Sequence, residues 1–212
     1  MKAAPGKKAS AAALGRRERG KLEKLARIRA AAHRLFAKQG FANTTTREIA
    51  AEADIGSGTL FLYAPTKEDL LVLIFQDEIG RAVDRRFARV PNAPLLEQVM
   101  HVFNALIEHH ASDPELARVF VKELPFVDEP RHGVAQFVNQ LYTRLAALIE
   151  DAKSRGEIAA DVPSRLLAQN LFGSCFQHFQ MWLSGSMSAL EPNDERLRAA
   201  LELQLRGARG RE

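Results

Sequence analysis

The chain has little of what marks a secreted domain, a membrane protein or an enzyme. Its 212 residues contain one cysteine, Cys175. An intrachain disulfide is therefore excluded, and the cysteine usage suits a reducing cytoplasm. A lone thiol in an apolar helical stretch reads as a small core residue, with a redox role as the competing reading. No apolar run reaches the roughly 18 residues that suggest a membrane-spanning helix. The basic N-terminus is not followed by the apolar segment of a secretory signal, so a cytoplasmic location is expected. No segment alternates apolar and polar residues as a half-buried strand does, and no internal repeat is visible. There is no glycine-rich phosphate loop after a strand and no nucleophile elbow. His101, His109, His110 and His178 lack acidic or cysteine partners at ligand spacing. No catalytic residue, metal or cofactor is therefore expected.

What the chain does have is apolar periodicity and an uneven charge. Apolar residues make up 46% of the sequence, enough for a large core. Residues 1–70 hold 14 Lys and Arg against 7 Asp and Glu, a net +7, whereas the remainder holds 16 against 19, a net −3. A basic N-terminal third beside a slightly acidic remainder is the charge pattern of a nucleic-acid-binding module joined to something else.

Residues 1–20, rich in Ala, Gly, Lys and Arg, read as a flexible basic tail. It is either a solvated extension or an arm that adds salt-dependent contact to phosphate or a minor groove. Residues 21–39 carry Leu25, Ile28, Ala32, Leu35 and Phe36 at helical spacing, and Gly40 ends the helix. Thr45-Thr46-Arg47-Glu48 fits a capping box, with a Thr hydroxyl and a Glu carboxylate satisfying orphan amides reciprocally. The helix it opens turns Ile49, Ala50 and Ala53 inward. Asp54, one of the few non-glycine residues that tolerate the left-handed region, sits at the turn. Ile55 returns to the core, and Gly56-Ser57 opens a helix of about seven residues around Leu60. This is a helix-turn-helix, whose second helix lies in the DNA major groove.

The stretch TTTREIAAEADIGSGTLFLYAPTKEDLL, residues 44–71, resembles the signature of the tetracycline-repressor (TetR/AcrR) family of one-component regulators, the likeness running from Ala26 to Leu71. Thr44-Thr45, Ile49-Ala50, Gly58-Thr59-Leu60, Phe61, Tyr63, Pro65 and Lys67-Glu68 match. Asp54 stands for the usual Gly, Ser57 for a frequent Lys and Ala64 for a frequent Phe. At the matching positions the resemblance implies that Thr45, Thr46 and Lys67 contact phosphate and that Ser57, Gly58, Thr59, Phe61 and Tyr63 face the groove. The residues themselves add Arg47, whose guanidinium suits a guanine edge, and Leu62, which suits a thymine methyl. The recognition helix holds no Arg, Lys, Asn or Gln, so shape readout and Arg47 are expected to carry unusual weight.

A second capping box, Thr66 with Asp69, starts a long helix whose stripe Leu70, Leu71, Ile74, Phe75, Ile79, Val83 and Phe87 runs to about Val90. Pro91-Asn92-Ala93-Pro94 is a break. Helices are expected over 95–110, from Pro114 to Lys122, over 134–155, over 163–183 and over 197–205, with 124–133 a loop or broken helix. The 163–183 helix is apolar on nearly all sides: Leu167, Leu171, Cys175 and Phe179 against Leu166, Phe172 and Phe176. One side is expected to meet a symmetry mate together with the last helix, and the other to face an interior. Phe103, Phe120, Phe126, Phe137, Tyr142, Phe172, Phe176 and Trp182, with Met181 beside them, are plain core or the wall of an effector pocket. The resemblance favours the pocket.

The expected architecture is all-α: a three-helix DNA-binding bundle over 21–67, then a helical ligand-binding and dimerisation domain over 68–212. The expected function is a repressor that binds palindromic double-stranded DNA as a homodimer and is released by a small hydrophobic effector. The competing reading is a helical interaction module without sequence-specific DNA binding.

Overall fold

A computed structural model of the chain describes residues 15–126 and 133–209. Among these are nine α-helices and no strand. Most of the expected basic tail, residues 1–14, lies outside the described residues, as do 127–132 and the last three positions. The chain divides into two compact units, Met1–Leu70 and Leu71–Glu212.

The first unit is built on α1 (Arg16–Gln39), α2 (Thr46–Glu52), α3 (Ser57–Tyr63) and the first turn of α4 (Lys67–Phe87). α1 begins at Arg16 rather than Lys21, so residues 16–20, expected in the tail, are helical. The run lacks an apolar period, but Arg and Glu at 16–19 are good helix formers that offset Gly20, and elongating a nucleated helix is easier than starting one. α1 buries Ile28, Ala31, Ala32 and Phe36. Gly40, at φ 78°, ends it where a side chain would be strained.

The turn between α2 and α3 is a Schellman motif. Asp54 sits at φ 53°. Its amide donates to the Ala51 carbonyl at 3.1 Å and the Ile55 amide donates to the Ala50 carbonyl at 3.0 Å. The last carbonyls of α2 are thereby satisfied and the chain is redirected into α3. α3 buries Leu60 alone, and Ala64, where the family often has Phe, is fully buried behind it.

The second unit contains the rest of α4, α5 (Leu95–Ser112), α6 (Pro114–Glu123), a 3₁₀ turn (Leu124–Phe126), α7 (Val134–Ser154), α8 (Ser164–Leu183) and α9 (Glu195–Gly207). α4 stops at Phe87, short of the expected Val90. α5 is the central element, with Leu95, Val99, Val102, Phe103 and Ile107 buried, and it packs against α6, α7 and α9. Asp113 caps α6 by accepting from the Leu116 amide at 3.0 Å. α8 packs against α6, α7 and α9.

Two expectations about this unit are corrected. Both apolar sides of α8 are used within one chain: Leu167, Leu171 and Cys175 are in the core, and Phe172 and Phe176 are half-buried. The face left open carries Leu166, Asn170, Gly173, Gln177 and Met181, a mixed rather than apolar stripe. Phe126, expected in the interior, is 79% exposed, because the 3₁₀ turn carries it past the end of α6.

Candidate nucleic-acid interface and effector cavity

The first unit presents a short helix whose outward face is nearly free of charge. Ser57 and Gly58 are exposed, Phe61 is 51% and Leu62 80% exposed, and Thr59 is half-buried. Water around two large apolar side chains is unfavourable, by about 25 cal/mol per Å². Both stand on the outward face of the second helix of a helix-turn-helix.

On α2, Arg47 is exposed, and among the described residues nothing pairs with it. Two other arginines of this unit lie beside carboxylates. Arg34 pairs with Glu52 at 2.9 Å, and Arg27 lies 3.6 Å from Asp54. Arg47 therefore combines a charge, a planar donor set and freedom to reach outward.

The remaining expected contacts are tied to the fold. Thr45 donates its hydroxyl to Glu48 Oε2 at 2.7 Å and accepts from the Glu48 amide at 3.2 Å; its own amide donates to the same carboxylate at 2.8 Å. These Thr45 hydrogen bonds hold the Glu48 carboxyl below the usual carboxylate range. Thr45 is thus the N-cap of α2, and its hydroxyl proton is already used. Thr46, at the first position of α2, is half-buried. Tyr63 is half-buried too, its hydroxyl 3.4 Å from the Lys21 carbonyl and directed back toward α1.

Lys67 is the clearest departure. Its ammonium donates to the carbonyls of Phe41, Ala42 and Thr44 at 2.8, 3.0 and 3.2 Å, and lies 4.5 Å from the centroid of the Phe41 ring. A lysine has three protons to donate, and all three are engaged. In this conformation Lys67 staples the start of α4 to the turn before α2 instead of facing solvent as a phosphate ligand. No sequence pattern reveals this, because the acceptors are main-chain atoms of residues whose side chains are unremarkable.

The second unit contains a partly open cavity of about 70 Å³. Phe120, Phe137, Phe172 and Phe176, all expected in a pocket, line it. Phe103 does not: it is fully buried, its ring 6.4 Å from that of Phe172. Tyr142 stands edge-on behind Phe172 at 5.7 Å, Trp182 lies 6.4 Å from Phe179, and Phe126 faces away. The wall also includes Ile79, Leu106, Val121, Val138, Phe179 and His110, which sequence reasoning did not assign to it. Phe179 had been placed on the opposite side of α8. Ile79 belonged to a stripe that looked like ordinary core.

His110 is the one residue of the wall with a polar side chain. It is buried, and desolvation pulls its pKa down to about 4 despite the hydrogen bond from Nδ1 to the Leu106 carbonyl. The ring is therefore neutral near pH 7. Cys175 is fully buried, and burial pushes its thiol pKa up, so it is not a thiolate and reads as core. Among the described residues no cluster of side chains could hold a metal ion, and no helix is long and apolar enough to cross a membrane.

Comparison with known proteins agrees with this arrangement. Residues 28–74 match the family model "Bacterial regulatory proteins, tetR family", and residues 92–189 match "Tetracyclin repressor-like, C-terminal domain". The chain is 26% identical over 155 residues to the fatty acid metabolism regulator protein of Bacillus subtilis (strain 168), covering 72% of this chain and 80% of that protein. It is 28% identical over 186 residues to the HTH-type transcriptional repressor KstR of Rhodococcus jostii (strain RHA1), covering 86% and 83%. The solved structure of Thermus thermophilus FadR, a TetR-family transcriptional repressor in complex with lauroyl-CoA, matches with a TM-score of 0.66 at 28% identity, over 89% of this chain and 96% of that one. With both family regions matched in order around one helix-turn-helix, the chain belongs to the TetR family of transcriptional regulators.

Proposed function

We propose that this regulator represses transcription by binding a palindromic operator as a homodimer, and that an apolar small molecule entering the second unit releases it. The exposed apolar face of α3 beside an unpaired Arg47 carries the DNA-binding part of the reading. Arg47 supplies a bidentate donor for a guanine edge, Phe61 and Leu62 supply apolar contact to thymine methyls, and Ser57, Gly58 and Thr59 allow close approach to the backbone. Thr45 and Thr46 act by fixing the start of α2, the helix that carries Arg47. Lys67 acts by holding α4 in place. One seven-residue helix gives limited affinity, so two copies on a two-fold axis are needed to read a site of useful length.

The open stripe of α8, with Gly173 at its centre, and the exposed Leu203 of α9 support pairing of two chains through these helices. The cavity supports the effector part of the reading. Its wall is hydrocarbon apart from His110, which suits an apolar chain or ring. A ligand that widens this cavity of about 70 Å³ moves wall residues apart. Ile79 in that wall belongs to α4, the helix whose first turn Lys67 staples inside the DNA-binding unit. A ligand that fits only the widened cavity binds one state better than the other, which is what release by a population shift requires.

A gel-shift titration against the DNA flanking the protein's own gene tests the first part. The expected result is sharp, salt-sensitive binding at a palindrome, and uniform binding to random DNA refutes it. A broad apolar set is then added, with lauroyl-CoA, bound by the Thermus relative, among its members. Loss of the shifted band with at least one of them is expected. Should the band persist with lauroyl-CoA and with a broad apolar set, release by an apolar effector is wrong for this chain.

A further inference from the structure

The polar atom of the cavity has a fixed chemical sense. Nδ1 of His110 lies 2.7 Å from the Leu106 carbonyl. A carbonyl only accepts, so Nδ1 carries the proton. A neutral imidazole has one N–H, which leaves Nε2 as a bare lone pair. His110 is 5% exposed and lines the cavity, and among the described residues no donor reaches Nε2. The ring is held by aromatic neighbours, Phe179 at 4.5 Å and Phe120 at 5.8 Å between centroids, so it is positioned rather than free to swing. Nε2 is thus an acceptor that only a molecule within the cavity can reach, and water held among apolar walls is a poor partner for it.

We propose that His110 Nε2 is a specificity determinant that selects effectors carrying a hydrogen-bond donor, such as a hydroxyl, on an otherwise apolar and uncharged body. The inference rests on the reading that the cavity is the effector site. An anionic group is disfavoured, because a carboxylate would meet a lone pair in an apolar enclosure. An ether or an ester oxygen is disfavoured for the same reason, in weaker form. A hydroxyl satisfies both partners at once.

Two isomers separate these cases: octanol, which has a donor, and methyl heptyl ether, which has only an acceptor. Binding is read from the fluorescence of Trp182, the single tryptophan, which sits beside the wall residue Phe179. Octanol is expected to bind the wild-type protein roughly tenfold more tightly than the ether, the size of one satisfied hydrogen bond in a buried site. In His110→Phe the two isomers should bind equally. Equal binding to the wild type, or a preference that survives in His110→Phe, overturns the role of His110 and leaves the cavity as a ligand site. If neither isomer binds, the effector cavity and this inference fall together. The wild-type protein gives an independent check should the variant fail to fold. Its His110 Nε2 ¹⁵N resonance should sit in the unprotonated range and move with octanol but not with the ether; a protonated Nε2 refutes the proposal.

Discussion

The two units place polar and apolar groups in opposite ways. In the first, polar side chains work inward on the main chain. Thr45 and Glu48 close the start of α2, Thr66 and Asp69 close the start of α4, and Lys67 gathers three carbonyls, while Phe61 and Leu62 are turned out to water. In the second, apolar side chains fill the interior and leave a space, with one imidazole nitrogen as its polar feature. A surface built to be covered by DNA tolerates exposed hydrocarbon because the covered state removes it from water. On the proposed reading, binding outside is governed by charge and shape, and binding inside by hydrogen-bond sense.

The largest test of this contrast is at Lys67. If Lys67 is a staple, Lys67→Met removes three hydrogen bonds, leaves the part-buried Thr44 carbonyl without a donor and destabilises the first unit by about 1–3 kcal/mol. Denaturant melts of the full chain, followed by helicity, should show an earlier transition. Were it chiefly a phosphate ligand, stability would hold and the salt dependence of DNA binding would flatten by about one unit instead.

Arg47 should behave in the reverse manner. Arg47→Ala is expected to leave the melt unchanged and to weaken operator binding by about 1–3 kcal/mol, with relaxed preference at one base pair. Equal losses on operator and random DNA would reassign it to phosphate contact.

The second unit has its own signature, in pH. His110 in the folded chain has a pKa lowered to about 4 from an ordinary value of 6.5. Between these values the unfolded chain binds a proton that the folded chain refuses, so this group's contribution to stability is present above pH 6.5 and is lost as pH falls toward 4. The loss between pH 7 and pH 5 is about 2 kcal/mol. The neighbouring His109 lies on the same helix, 3.8 Å from Glu78, so the measurement is the difference between wild type and His110→Phe in urea melts at the two pH values. A variant as acid-sensitive as the wild type would show that the ring is not held neutral by burial.

The two units also differ in how much of each was legible beforehand. The first was read nearly residue by residue, because capping boxes, the left-handed Asp54 and the terminal Gly40 are local: each needs only neighbours a few positions away. Lys67 escaped because its partners lie more than twenty residues back and are carbonyls, which every residue has. In the second unit the helices were recoverable from periodicity, but the cavity was only half so. Phe120, Phe137, Phe172 and Phe176 line the cavity, while Phe103, Tyr142, Trp182 and Phe126 do not. Periodicity says which residues leave water; it does not say which of them meet a neighbour and which meet a space. His110 had been weighed only as a metal ligand, although one histidine within the apolar face of α5 was itself a sign of a polar atom placed inside.

The smallest expected effect lies at Leu62, and it tests whether exposed hydrocarbon on α3 reads sequence. Replacing a contacted thymine by uracil removes one methyl group and changes nothing else on the base edge. A methyl covered by Leu62 contributes about 0.8 kcal/mol, so each such substitution should weaken wild-type binding about fourfold. Leu62→Ala should weaken binding to the thymine operator by a similar amount. Combined, the two changes should cost little more than either alone, because each removes the same contact. Scanning uracil through one half-site in a gel-shift competition finds the position. If the losses add fully at every thymine, Leu62 touches no methyl, and the apolar face of α3 is covered by backbone sugar, leaving Arg47 and DNA shape to select the operator.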